Sequence, residues 1–133
     1  LANAGLGAVH GFAGPIGGMF PAPTGAVCAA LLSHVMMSNL HALRQRAPGN
    51  PALERYTQVA RLLTGRAEAT AEAGVEWVAK LVSELQVPPL GSYGLRPEHT
   101  GELVEKASRS SSMKANPLAL SSQELAQALQ AAL

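Results

Sequence analysis

Four histidines and one cysteine are the side chains best suited to metal or nucleophilic chemistry in this 133-residue sequence. His10 sits in an uncharged, glycine-rich run, where a neutral imidazole can ligate a metal while a partner holds its other nitrogen. A lone histidine on an apolar helix is as readily a hydrogen-bonded core residue, so spacing alone leaves both roles open. His34 and His41 are seven apart and share a helix face, but no third ligand lies close and no H-E-x-x-H run is present. They read as ordinary core or surface histidines. Gly5-Leu6-Gly7 hints at a dinucleotide fingerprint, yet the next glycine is Gly11 and no strand precedes it. Gly91-Ser92-Tyr93-Gly94 lacks the spacing of a nucleophile elbow and reads as a turn. Ser108, Ser110, Ser111 and Ser112 with Arg109 and Lys114 could cradle an anion, although a solvated linker is the commoner use of such a stretch.

The elements that must hold His10 are marked by an absence of charge. No Asp, Glu, Lys or Arg occurs from Leu1 to Leu43, and all nineteen such residues fall between Arg44 and Glu124. A helix apolar all round is buried in a larger protein or in a membrane. Pro15, Pro21, Pro23, Gly17 and Gly18 interrupt the roughly 20 apolar residues that a spanning helix needs, so burial against protein, not membrane, is expected. A helix over residues 2–18 would carry six glycines, with Gly7, Gly11, Gly14 and Gly18 on one face. Either something approaches that bare backbone or helices pack tightly there.

Downstream the apolar period is helical. Thr24 is a candidate cap for a helix through Val27, Leu31, Leu32, Val35 and Met36. Asn50-Pro51 opens a helix with Leu53, Tyr56, Val59, Leu62 and Leu63 inward. Val75, Val78, Leu81, Val82 and Leu85 form the next stripe, stopped by Val87-Pro88-Pro89, and residues 88–94 read as a loop. Pro97 starts a short helix with Leu103, Val104 and Ala107 inward, and Ser108 to Asn116 is a polar connection. Ser121 and Glu124 make a capping box, with Leu120 and Leu125 as a hydrophobic staple. With no alternating run for a strand and no βαβ pattern, the expected fold is an all-α bundle.

Composition narrows the function. A charged fraction of 14% and an apolar fraction of 47% are those of a folded core, and the length suits one domain without room for separate cofactor and substrate domains. A net charge of +1 and 4% aromatic residues argue against nucleic acid. Cys28 stands alone, which excludes an intrachain disulfide and makes a reducing, cytoplasmic setting the default. The chain opens on Leu1 without a readable secretory signal, and it is expected to begin inside a longer reading frame.

The run from Gly7 to Gly25, GAVHGFAGPIGGMFPAPTG, resembles the iron-containing alcohol dehydrogenase family between its two helical metal-ligand histidines. The resemblance continues through Cys28 to Met36, Tyr56 to Gly65 and Gly74 to Leu90, and closes at Ser111 to Pro117 with Leu120-Ser121. It implies the fold of the dehydroquinate synthase-like and iron-containing alcohol dehydrogenase superfamily. There an N-terminal α/β half binds NAD(P) and an all-α half holds a divalent metal, iron or zinc. Residues 1–133 would be one all-α domain, the later part of that C-terminal metal-binding domain. The chain would be inactive alone, completed by a missing nucleotide-binding half and assembled as a homo-oligomer such as a dimer, with a small alcohol or aldehyde as substrate.

By the same resemblance His10 aligns with the third metal ligand, and Thr24 occupies the position of a usual fourth, His. A hydroxyl is a much weaker ligand than imidazole. Gly14 stands where many members carry an active-site His, and Gly11, Phe12, Gly14 and Thr24 would shape the substrate and nicotinamide cleft. The metal would polarise the alcohol oxygen while hydride passes to the nicotinamide. The departure at Thr24 keeps two alternatives in view: a metal-independent, maleylacetate reductase-like enzyme, or a non-catalytic helical interaction module.

Overall fold

A computed structural model describes residues 7–133. It has six α-helices: α1 (Ala8–Met19), α2 (Thr24–Arg46), α3 (Pro51–Thr64), α4 (Ala71–Glu84), α5 (Thr100–Ser108) and α6 (Ser122–Ala131). Short 3₁₀ turns cover Leu90–Tyr93, Pro97–His99 and Ser111–Ala115, and no strand occurs among the described residues. The all-α expectation therefore holds. The predicted start of the first helix, before Gly7, and the Gly5-Leu6 pair lie outside the described residues.

Two cores hang on α2. Its Val27, Leu31 and Val35 meet Phe12 and Ile16 of α1, Leu103 and Val104 of α5, and Leu125 and Leu129 of α6. Further along α2, Leu40 packs with Ala71 and Val75 of α4, flanked by Met36, Met37, Leu53 and Tyr56. By length and composition α2 could cross a membrane, but half of its most apolar window is buried inside the fold. Its role here is that of a core helix.

Local signals end the elements as side-chain chemistry requires. Asn50 accepts from the Ala52 amide at 2.8 Å, ahead of Pro51, and Ser121 and Glu124 form the reciprocal capping box. Thr24 is not a cap: Pro23 holds the cap position of α2, and Thr24 is its first helical residue. The stop of α4 also differs from its predicted cause. Gln86 takes a left-handed φ of 57° while its amide reaches Ser83 and that of Val87 reaches Val82, which closes the helix before the prolines matter. The loop that follows turns through a 3₁₀ segment, and its Leu90 amide donates to the Ala132 carbonyl.

The inward face of α3 is only partly the one its large residues predict: Leu53, Tyr56 and Leu63 are half-buried, Leu53 and Tyr56 against the Leu40 cluster. Ala52 and Ala60 are buried, whereas Val59 and Leu62 are 42% and 83% exposed. The reason is the close crossing with α4, where Gly74 lies against Ala60. Only small side chains fit between the two backbones there, so Val59 and Leu62 turn outward. Residues 108–116 are a largely exposed connection, as expected, but they turn through a 3₁₀ segment whose Met113 lies against α1.

Candidate functional site

The uncharged first third does possess a water-facing side. On α1, Ala8, Gly11, Phe12, Ala13 and Ile16 turn into the core, while His10, Gly14, Gly17 and Gly18 are exposed on the other side. A methyl group placed on Gly14, Gly17 or Gly18 would meet nothing within 4 Å among the described residues. Exposure continues through Pro21, Pro23, Thr24 and Gly25. The result is a surface of backbone, imidazole and hydroxyl with no formal charge.

The glycines thus divide into two uses. Gly11 is a packing residue, since a Cβ there would lie 2.8 Å from the Met113 methyl carbon. Phe12 is wholly buried. Gly11 and Phe12, which the resemblance would place in the cleft, face inward in this chain and fix α1 against its neighbours, because burying the ring stabilises that face. His10, Gly14 and Thr24 remain on the open side.

Among the described residues no group of three or more His, Cys, Asp or Glu could hold a metal ion. This chain offers His10 as one imidazole and Thr24 as a hydroxyl, short of the three or four good donors that iron or zinc takes. By itself the donor set does not fit a resident metal.

The other histidines have structural surroundings. His34 is half-buried in a groove with Ala30, Val82, Pro88, Pro89 and Ala132, and burial pushes its pKa down. His41 is exposed beside Ser38, Gln45 and Gln127. His99 accepts from the Arg96 amide at 3.0 Å and meets Phe20 edge-on with ring centroids 5.0 Å apart. Cys28 is partly buried, which pushes its thiol up and keeps it protonated.

The polar residues that sequence reasoning missed lie behind α1. Asn116 accepts from the Ala8 amide at 3.1 Å and donates to Asn39 Oδ1 at 2.6 Å and to the Leu118 carbonyl at 2.9 Å. Asn39, 4% exposed, in turn donates to the Tyr56 hydroxyl at 3.2 Å. Burial raises the Tyr56 pKa, and the bond from Asn39 partly offsets this. The only sequence signal was the Asn116-Pro117 pair, which marks a turn without naming a partner.

Comparison with known proteins follows the same lines. The family model described as "Fe-containing alcohol dehydrogenase family, C-terminal" matches residues 1–133. Lactaldehyde reductase of Escherichia coli (strain K12) is 33% identical over 113 residues, covering 80% of this chain and 27% of that protein. Alcohol dehydrogenase 4 of Schizosaccharomyces pombe is 33% identical over 117 residues, covering 87% of this chain and 26% of its own length. Among solved structures, an alcohol dehydrogenase from Oenococcus oeni superposes with a TM-score of 0.79 at 25% identity, over 96% of this chain and 33% of that one. A 1,3-propanediol oxidoreductase superposes at 0.77 with 24% identity and the same coverage, a likeness of fold. The chain spans about a quarter to a third of the relatives it matches.

Proposed function

We propose, since this chain belongs to the Fe-containing alcohol dehydrogenase family, that it is the later, helical part of an NAD(P)-dependent oxidoreductase acting on a small alcohol or aldehyde. The single observation that carries the reading is the family match over residues 1–133, joined to an exposed, uncharged α1 face that presents His10 and Gly14. A nucleotide-binding half is the partner that this face suits, because a hydride acceptor and its alcohol need a site free of competing charge and water. The complete enzyme is cytoplasmic and a homo-oligomer in this reading.

The roles of this chain's own residues follow from their surfaces. Gly14, Gly17 and Gly18 leave α1 without side chains, so a planar ring or a small substrate can approach the backbone. His10 brings the one imidazole on this face to a divalent metal or to a substrate oxygen. The Thr24 hydroxyl hydrogen-bonds a substrate or a water. Phe12 and Ile16, buried beneath, anchor the face to the core.

Thr24 favours a second reading, in which the enzyme resembles the metal-independent maleylacetate reductases, since a hydroxyl is a poor replacement for a fourth imidazole. Nicotinamide-linked oxidation of short alcohols by the intact gene product, before and after a strong chelator, separates the two. Activity lost to the chelator and restored by iron or zinc supports the metal-dependent enzyme. Survival of activity favours the second reading, and no nicotinamide-linked activity under either condition contradicts both.

A further inference from the structure

The first turn of α1 carries His10, yet no side chain of its own caps it. Gly7, at the cap position, has a φ of 92°, a left-handed geometry that suits glycine and supplies no side-chain acceptor. The missing acceptor arrives from 108 residues away, as Asn116 Oδ1 takes the Ala8 amide proton. The same segment makes two more contacts with that turn. The Gly7 amide donates to the Ser112 carbonyl at 2.7 Å, and Met113 presses on Gly11.

Asn116 is held as firmly as what it holds. Its oxygen serves Ala8 and, at 3.3 Å, Asn39, and its amide hydrogens go to Asn39 and Leu118, so both ends of the amide are used. Asn39 is itself fixed by burial and by Tyr56. A polar chain therefore runs from α3 through α2 and the 111–118 segment to the helix end that bears His10.

We propose that Asn116 is a positioning residue for His10: as the non-local cap of α1, locked by Asn39, it sets the register and direction of the turn from which His10 projects. That His10 serves the reaction rests on the function proposed above, whereas the capping role does not.

The test uses the intact gene product, with hydrogen exchange on peptides covering residues 7–13 and turnover with alcohol and nicotinamide. Asn116→Ala is expected to speed exchange there about tenfold, the usual scale of a lost cap, with exchange across Ala71–Glu84 unchanged. Turnover is expected to fall about tenfold or more, since small misplacements of a positioned group are costly. Asn116→Asp keeps an acceptor for Ala8 but can no longer donate to Asn39 Oδ1 and the Leu118 carbonyl, so it is expected to recover only part of both losses, which a general packing role would not produce. Should Asn116→Ala fail to fold, Tyr56→Phe is the second variant, expected to loosen residues 7–13 by a smaller factor with α4 unaffected. Unchanged or uniformly raised exchange, or Ala and Asp variants that behave alike, would overturn the proposal. If His10→Ala leaves turnover intact, the reading of His10 fails instead, and the exchange data still decide the role of Asn116.

Discussion

Gly74→Ala probes the crossing of α3 and α4 on which the placement of both helices depends. A methyl group on Gly74 would lie 2.8 Å from Ala60 Cβ and 3.0 Å from Ala60 Cα, both well inside contact distance. Carbon atoms settle at about 3.5–4.0 Å, so the helices must part or slide, which disturbs the Leu40, Ala71 and Val75 cluster they enclose. Overpacking of this kind costs about 1–3 kcal/mol, set against a gain of about 1 kcal/mol from replacing a helical glycine by alanine. The net expectation is a loss of about 1 kcal/mol. Gly101→Ala in α5 is the control, because nothing lies within 4 Å of the added methyl, and it should gain about 0.5 kcal/mol. Urea unfolding, followed by circular dichroism and by the fluorescence of Trp77 in α4, measures both. Adding Ala60→Gly to Gly74→Ala should give less loss than the two single changes summed, a coupling of about 1 kcal/mol. If Gly74→Ala stabilises as much as Gly101→Ala, or the double variant is merely additive, the close crossing is wrong.

Three further outcomes follow from particular groups. The Thr100 hydroxyl is buried with no hydrogen-bond partner among the described residues, so Thr100→Val should leave stability unchanged or raise it by about 1 kcal/mol, read as a shift in urea midpoint. Burial holds the His34 pKa below its ordinary 6.5, so the unfolded chain takes up the proton first. The stability this contributes is present above 6.5 and is lost as pH falls towards the lower folded value. Melting curves from pH 8 to pH 5 should therefore show a shallower decline for His34→Gln than for the parent, and identical slopes would contradict the burial of His34. Thr24→His in the intact gene product should raise the iron or zinc retained after purification, measured by elemental analysis, and unchanged metal content would count against the place given to Thr24.

How much was legible in the sequence depended on how local each cause is. The caps at Asn50 and Ser121 were readable because donor and acceptor lie two or three residues apart. The inward line of α5 was readable because its buried face, Leu103, Val104 and Ala107, is also its apolar face. The outward turn of Val59 and Leu62 on α3 was not, because it answers to Gly74 on another helix and not to the size of their own side chains. The cap of α1 was hidden for the same reason, since Asn116 is remote in sequence and its neighbourhood looks like a polar linker. At the candidate site, His10 and Thr24 could be singled out from the resemblance, but the sequence did not separate Gly11 and Phe12, which face inward, from Gly14, which faces out.

In the proposed function His10, on the open face of α1, belongs to an oxidoreductase site completed by the rest of the enzyme. The most direct test of that role is His10→Ala in the intact gene product, assayed for nicotinamide reduction with short alcohols beside a melting curve. Turnover is expected to fall on the order of 100-fold, the scale of losing a preorganised stabilising group, with an unchanged melting temperature because the side chain is exposed in this chain. Full turnover in a folded His10→Ala protein would contradict that role.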